Sequence, residues 1–317
     1  MTRPVRIGIT GASGFVGNAL LSKLEALNYQ CTVLQNKSPI QCADQTLVIQ
    51  GGLGNLDCVE KFIHASDIII HCGGVVAAKK KDLFFTVNTQ GTKNIIDAMH
   101  DTKKTDTDKK ILFISSLAAR QPRISPYAKS KADAEICFND RHSFGWDILR
   151  PPGIYGPYDD NTAPLFALLG KRLALKLGPK EARFSMIYID DLVDAIISWI
   201  KTDNPTQQIY EISDGLADGY RWSAFTQICA DLYDHKIHQI QLPRWFLKLV
   251  AFNASLLGAF SSKPVFFTQD KVNELSHDDW VAAHEKFAKA FKWSPHITAA
   301  EGLEKTKKWF ADRPQAK

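Results

Sequence analysis

Tyr127 and Lys131 stand four residues apart in Tyr127-Ala-Lys-Ser-Lys131, and Ser116, the second of a Ser115-Ser116 pair, lies eleven residues upstream of the tyrosine. On a helix, that four-residue spacing puts a phenol and an ammonium on one face. A cation beside the phenol favours the phenolate and lowers its pKa, which proton exchange with an alcohol near neutral pH requires. Ser125-Pro126 ahead of the tyrosine reads as a helix start, so the positive end of the helix dipole adds to the effect. A serine hydroxyl at a strand end can hydrogen-bond the reacting oxygen. Tyr-x-x-x-Lys alone is also a common surface pair, and it needs a second feature to become a site.

That feature is Thr10-Gly-Ala-Ser-Gly-Phe-Val-Gly17. It follows a strand-like run and opens an amphipathic helical pattern, the context in which three spaced glycines bind a dinucleotide. Gly11 permits the tight turn, Gly14 the approach of a pyrophosphate, and Gly17 close packing of helix on sheet. Folds of this kind usually carry an acid about 20 residues further on, holding the ribose hydroxyls of NAD. Here the second strand ends in Gln35-Asn36-Lys37 and the first acid afterwards is Asp44. With no carboxylate to repel a 2′-phosphate, NADP is favoured and NAD is the alternative.

These groups need a scaffold. Val5–Thr10, Cys31–Leu34, Thr46–Ile49, Asp67–His71, Ile111–Ser115 and Trp146–Leu149 are continuous apolar runs, as in strands buried on both faces of a parallel sheet. Between them Phe15–Leu27, Asp57–Ala65, Leu83–Met99 and Pro126–Asn139 carry apolar residues at helical spacing. The order predicts an α/β fold, a doubly wound parallel (Rossmann) sheet with strand order 3-2-1-4-5-6 and right-handed crossovers. Asp101–Lys110 lacks periodicity and reads as a solvated loop. Past Arg150, strand-like Met186–Ile189 and Ile209–Ile212 are expected to return to the sheet. The predicted domains are thus residues 1–155 plus about 187–213 for the dinucleotide, and about 156–186 plus 214–317 for a smaller, discontinuous substrate domain.

A chain of 317 residues with 23% charged residues is ordinary enough to be globular. Its net charge of +5 gathers into no basic stripe, which argues against a nucleic-acid partner and leaves a small-molecule substrate. Six scattered cysteines with no zinc spacing argue against a metal and for reduced thiols in the cytoplasm. The glycine turn begins by Gly11, leaving no room for a leader peptide. No run is long enough for a membrane span. The nearest, Trp245–Phe260, is broken by Lys248 and Asn253 and reads as a core or subunit-contact helix, with a lid or a membrane-surface contact as alternatives. Apolar residues on more than one face of Leu83–Met99 and Pro126–Asn139 suggest a homodimer.

Together these motifs resemble the extended short-chain dehydrogenase/reductase family of epimerases, dehydratases and steroid- or flavonol-reductase-like enzymes. Asn88-Thr-Gln-Gly-Thr92, Arg150-Pro-Pro-Gly-Ile-Tyr-Gly-Pro157 and Ile187-Tyr-Ile-Asp-Asp191 extend the likeness over nearly the whole chain. The resemblance implies Tyr127 as catalytic acid/base, Lys131 as binder of the nicotinamide ribose, and Ser116 orienting the substrate oxygen. It implies cofactor contacts from Gly11, Ala12, Ser13, Gly14, Phe15 and Val16 of the turn, from Lys37 and Leu53, and from Cys72, Gly73 and Gly74. Asn88, Tyr127 and Lys131 complete the set with Pro151 and Ile154. Two departures stand out: Gly51-Gly52-Leu53 lacks the aspartate many members place near the adenine, and Gly73-Gly74 replaces the usual alanine pair.

Sugar-nucleotide members commonly have an asparagine where this chain has Gly153, and 4,6-dehydratases an Asp-Glu pair where it has Leu117-Ala118. The resemblance therefore favours hydride exchange with a secondary alcohol or ketone of a fairly apolar substrate. A nucleotide-sugar epimerase is the alternative, and a non-catalytic NAD(P)-binding sensor or structural subunit a further one. Arg183 could meet a substrate phosphate or be an exposed loop arginine.

Overall fold

The computed structural model describes residues 4–102, 109–139, 144–176, 178–179, 181–258 and 267–313. The six apolar runs become β1 (Arg6–Thr10), β2 (Gln30–Gln35), β3 (Leu47–Gln50), β4 (Ile68–His71), β5 (Lys110–Ile114) and β6 (Gly145–Arg150). They pair in parallel in the order β3-β2-β1-β4-β5-β6, and β7 (Ile209–Glu211) lies beside β6. The register aligns the strand ends, with Thr10 opposite both Leu34 and His71, and His71 opposite Phe113. The glycine turn, Cys72-Gly73-Gly74 and Ser115-Ser116 therefore leave the same edge of the sheet, where ligands bind in folds of this kind.

The helices of this sheet are α1 (Phe15–Ala26), α2 (Leu56–His64), α3, α4 (Pro126–Ile136) and α5 (Ile189–Ile200). The third is continuous but not uniform: Asp82–Phe84 and Gly91–Thr102 are α-helical, and Phe85–Gln90 between them is wound as a π-helix. Short π segments in helices often mark functional positions, and this one contains Asn88. One core cluster packs Val59, Phe62 and Ile63 of α2 and Ile95 and Met99 of α3 against Ile111, Phe113 and Ile148 of the sheet. Phe62, Ile63 and Phe113 are almost fully buried, each stabilising the fold by about 1.5–3 kcal/mol.

Two expectations need correction. Met186–Tyr188 does not rejoin the main sheet but pairs in parallel with Gly153–Tyr155, so only Ile209–Glu211 returns. What secures that return is Asp147, a fully buried carboxylate that accepts hydrogen bonds from Trp199 Nε1 (2.8 Å), Thr206 Oγ1 (2.6 Å) and the Gln208 amide (3.0 Å). Second, the solvated loop expected at Asp101–Lys110 lies partly outside the described residues, at 103–108, and its ends are not loop. Thr102 closes α3, while Lys109 and Lys110 are buried, donating to the carbonyls of Ser66 and Ile200. Sequence periodicity misses this because a lysine stem packs as hydrocarbon when carbonyls wait at its tip. Ser116 is followed by a 3₁₀ turn, Leu117–Arg120, that no periodicity signalled.

The chain divides into two compact units, Met1–Arg150 with Val193–Tyr210, and Pro151–Leu192 with Glu211–Lys317. The second has short sheets, in which Leu173–Lys176 pairs with His238–Gln241, and Arg183–Phe184 lies between Tyr220–Arg221 and Asp279–Trp280. Its helices include Trp222–Tyr233, Arg244–Gly258 and Ala299–Asp312, the last opened by a Thr298–Glu301 capping box. Among the described residues no helix is long and apolar enough to cross a membrane, and no cluster of His, Cys, Asp or Glu could hold a metal.

Candidate active site

The glycine turn is built where side chains cannot fit. Gly11 has φ +72°, and a Cβ there would come within 2.8 Å of the backbone of Cys72 and Gly73. A Cβ on Gly17 would meet the Gly11 carbonyl oxygen at 2.2 Å, so α1 presses directly on the turn. The N-cap of α1 is Gly14, which supplies no capping side chain, and the first helical turn holds no acid. A helix N-terminus bare of side-chain acceptors, in a cradle that a Cβ would fill, fits a pyrophosphate. Ala12, Ser13, Phe15 and Val16 form the rest of this turn.

A directional hydrogen-bond array runs under the turn. Thr10 Oγ1 accepts from the Gly73 amide (3.0 Å) and lies 2.6 Å from His71 Nδ1. Thr92 Oγ1 donates to the Asn88 carbonyl (2.6 Å), so His71 Nε2 must donate to Thr92 (3.0 Å). The buried ring is neutral, so with its proton on Nε2 its Nδ1 accepts from Thr10. Burial, helped by the Lys131 cation, lowers the His71 pKa to about 3. His71 also stacks on Phe113, with ring centroids 5.3 Å apart.

Asn88 continues the array on the other side. Its Oδ1 accepts from the Val75 amide (2.8 Å), and its Nδ2 donates to the Val75 carbonyl (3.1 Å) and to Ser130 Oγ (2.9 Å). Ser130 in turn donates to the Tyr127 carbonyl (2.8 Å). Asn88 thus ties the chain after Gly74 to the first turns of α4.

Helix α4 starts where the sequence predicts. Ser125 is its N-cap, accepting from the Ala128 amide (3.0 Å), and Pro126 takes the first position. Tyr127 is half-buried with its ring edge-on to Phe84, centroids 6.0 Å apart. Lys131, one turn on, is buried; its ammonium donates to the Ile114 carbonyl (2.9 Å) and sits 4.7 Å from the Phe113 ring centre. Desolvation lowers its pKa to about 8, opposed by the Cys72 and Glu135 side chains. Burial pushes the Cys72 thiol up to about 12.

The serine pair divides. Ser115 is buried and donates to Glu135 Oε1 (2.5 Å), while Arg150 grips both oxygens of the same carboxylate, at 2.9 and 2.5 Å. Ser116 is half-buried at the strand end, where its Oγ accepts from the Ala118 amide (3.2 Å) and keeps its hydroxyl proton to donate. Glu135 escaped the sequence reading, and Arg150 entered it only as part of a motif. The signal was the i,i+4 continuation from Lys131 and an arginine at a strand end.

The remaining predicted residues are less uniform. Leu53 lies against Gly73 and Gly91, its carbonyl held by Asn94 (2.8 Å). The Gly73-Gly74 pair is more than a small version of two alanines: a Cβ on Gly73 would meet Thr10 Oγ1 at 2.9 Å, and one on Gly74 would meet Asn88 Oδ1 at 3.1 Å and Lys131 Nζ at 3.5 Å. Lys37 is exposed just past β2. Pro151 and Ile154 belong to the second unit, where Ile154 pairs with Ile187. In that unit Arg183 has Asp218 and Asp279 carboxylates at 3.6 and 3.9 Å.

Residues 7–213, most of the chain, match the NAD dependent epimerase/dehydratase family. The chain belongs to that family. It is an enzyme of the extended short-chain dehydrogenase type, with a reductase, an epimerase and a dehydrogenase among its relatives. A ceramide reductase of Caulobacter vibrioides is 28% identical, over 89% of this chain and 87% of that one. A UDP-glucose 4-epimerase of Vibrio cholerae is 25% identical, over 97% and 96%. Among solved structures, a UDP-glucuronic acid 4-epimerase from Bacillus cereus in complex with UDP-glucuronic acid and NAD shares the fold, with a TM-score of 0.73 at 17% identity, over 97% of this chain and 99% of that one.

Proposed function

We propose that the chain is an NAD(P)-dependent oxidoreductase that exchanges a hydride with a secondary alcohol or ketone of a fairly apolar substrate. The observation that carries this reading is the buried Lys131, bonded to the Ile114 carbonyl two residues before Ser116 and one helical turn from Tyr127. In this reading the bound nicotinamide supplies or accepts the hydride. Tyr127 gives its phenolic proton to the substrate oxygen in reduction and takes it back in oxidation. Ser116 donates a hydrogen bond that holds that oxygen, and Lys131 keeps positive potential next to the phenol.

The apolar substrate class is supported by the relatives, which include a ceramide reductase and sterol-4-alpha-carboxylate 3-dehydrogenases. Gly153 in place of an asparagine, and the two carboxylates beside Arg183, weigh against a sugar diphosphate. A nucleotide-sugar epimerase is the second reading, favoured by the near full-length likeness to the Vibrio cholerae enzyme. The test is to load the protein with NADPH or NADH and follow reduced-cofactor absorbance with long-chain ketones, and separately with UDP-sugars. Oxidation of the cofactor by ketones supports the proposal, whereas interconversion of UDP-sugars without net oxidation would replace it.

NADP is the proposed cofactor, on the absence of a carboxylate at Gln35-Asn36-Lys37 and the exposed Lys37. A flexible ammonium without the two-pronged grip of arginine supports an advantage near tenfold. Lys37→Ala should erase it in paired NADPH and NADH titrations. The second unit is proposed to hold the substrate, and the site to lie in the cytoplasm. A homodimer through α3 and α4, whose Leu83 and Ile136 are exposed, would show as twice the chain mass in light scattering.

A further inference from the structure

Helix Arg244–Gly258 of the second unit is apolar on two opposite sides. Inward, Leu247 and Ala251 are buried with Val272 and pack on Leu242 and Phe267. Outward, Phe246, Val250, Leu249, Phe252 and Trp245 are 37, 42, 48, 49 and 68% exposed. At 100° per residue those five span an arc of roughly 160°. Asn253, the polar residue within that arc, is exposed and donates one amide hydrogen to the Leu249 carbonyl (2.9 Å). A helix apolar all round is normally covered, and a contiguous exposed apolar patch marks an interaction surface.

The charges say what covers it. Arg244 and Lys248 lie one turn apart at one border of the arc, and the helix sequence contains no acid. Were a second copy to seat on this face by a two-fold axis, neither helix would offer a carboxylate to meet the other's cations. An anionic headgroup layer supplies that missing charge. A tryptophan and two phenylalanines among aliphatic residues, with cations at the edge, are the composition of a helix lying in a membrane interface. Fifteen residues rise about 22 Å, short of the hydrocarbon core, so such a helix lies on the bilayer and does not span it.

We propose that Arg244–Gly258 docks the protein on an anionic phospholipid leaflet, with Trp245, Leu249 and Phe252 among the acyl chains and Arg244 and Lys248 on the phosphates. This goes beyond the assigned reaction and stands on the helix alone, so the two fail separately. The test is flotation with phosphatidylcholine vesicles, with and without phosphatidylglycerol. The protein should float with the anionic vesicles and weaken with added salt. Leu249→Glu with Phe252→Glu should abolish flotation, and Arg244→Gln with Lys248→Gln should weaken it roughly thirtyfold. Both double variants should keep the unfolding midpoint and cofactor affinity, since none of the four side chains is in the core. Tyr127→Phe should float unchanged. Failure to float with anionic vesicles would overturn the proposal, as would flotation indifferent to the glutamates. Loss of a dimer in the glutamate variant, with no vesicle binding by the parent, would assign the face to a second copy.

Discussion

Helix α4 turns Ser130, Lys131 and Glu135 inward and buries them, whereas helix Arg244–Gly258 turns Trp245, Leu249 and Phe252 outward and leaves them in water. Both depart from an amphipathic pattern, in opposite directions. In α4 every inward polar group is met: Ser130 by Asn88 and the Tyr127 carbonyl, Lys131 by the Ile114 carbonyl, Glu135 by Ser115 and Arg150. Desolvation is offset there by charge-assisted hydrogen bonds. The other helix has nothing comparable in the described structure, and exposed hydrocarbon costs about 25 cal/mol per Å² until something covers it. Inward polarity is thus satisfied within the fold, whereas the outward apolar face has no such cover among the described residues.

The contrast is open to experiment. Its largest consequence is catalytic: Tyr127→Phe keeps the ring against Phe84 but removes the proton, so turnover should fall by about 10²–10⁴ with cofactor affinity unchanged. Near-normal turnover on an established substrate would remove the central assignment. Next comes Glu135→Ala, which removes the carboxylate that Arg150 and Ser115 both bond and should destabilise by about 3–5 kcal/mol in urea unfolding. A loss below about 1 kcal/mol would mean that the inward polar groups of α4 do not depend on one another.

The third consequence is pH-dependent. Lys131 has a folded pKa of about 8 against about 10.4 when unfolded, so between those values the unfolded chain binds more protons and stability rises with pH. Lys131→Met should remove up to about 3 kcal/mol of that rise. Lys110, also lowered to about 8 by burial, keeps a residual slope in the variant. Identical slopes in the two proteins would show that Lys131 is solvated. The smallest effect belongs to the outward helix, where Trp245→Ser should change unfolding free energy by less than about 0.5 kcal/mol. A loss above about 2 kcal/mol would mean that Trp245 is packed inside the protein.

Much of the candidate site was legible because it is local in sequence. A glycine turn between a strand and a helix, a Ser-Pro helix start and a four-residue Tyr–Lys spacing are each defined within a few residues by backbone geometry. Nothing local distinguished Ser115 from Ser116. That distinction rests on Glu135 and Arg150, which lie 20 and 35 positions from Ser115. His71 looked like the last residue of an apolar strand, and only the pairing of Thr10 and Thr92 across its two nitrogens shows it as a buried strut.

The sequence by itself determined the order of elements, the strand order and the turns that leave the sheet edge, since period and turn chemistry are properties of neighbouring residues. Tertiary structure alone decided that Lys109 and Lys110 are buried, that Met186–Tyr188 pairs with Gly153–Tyr155, and that Trp245, Leu249 and Phe252 face out. The physical reason is common to all three. Hydrophobicity measures what a side chain prefers, but which carbonyls, strand edges or faces await it is settled by segments far away in the chain.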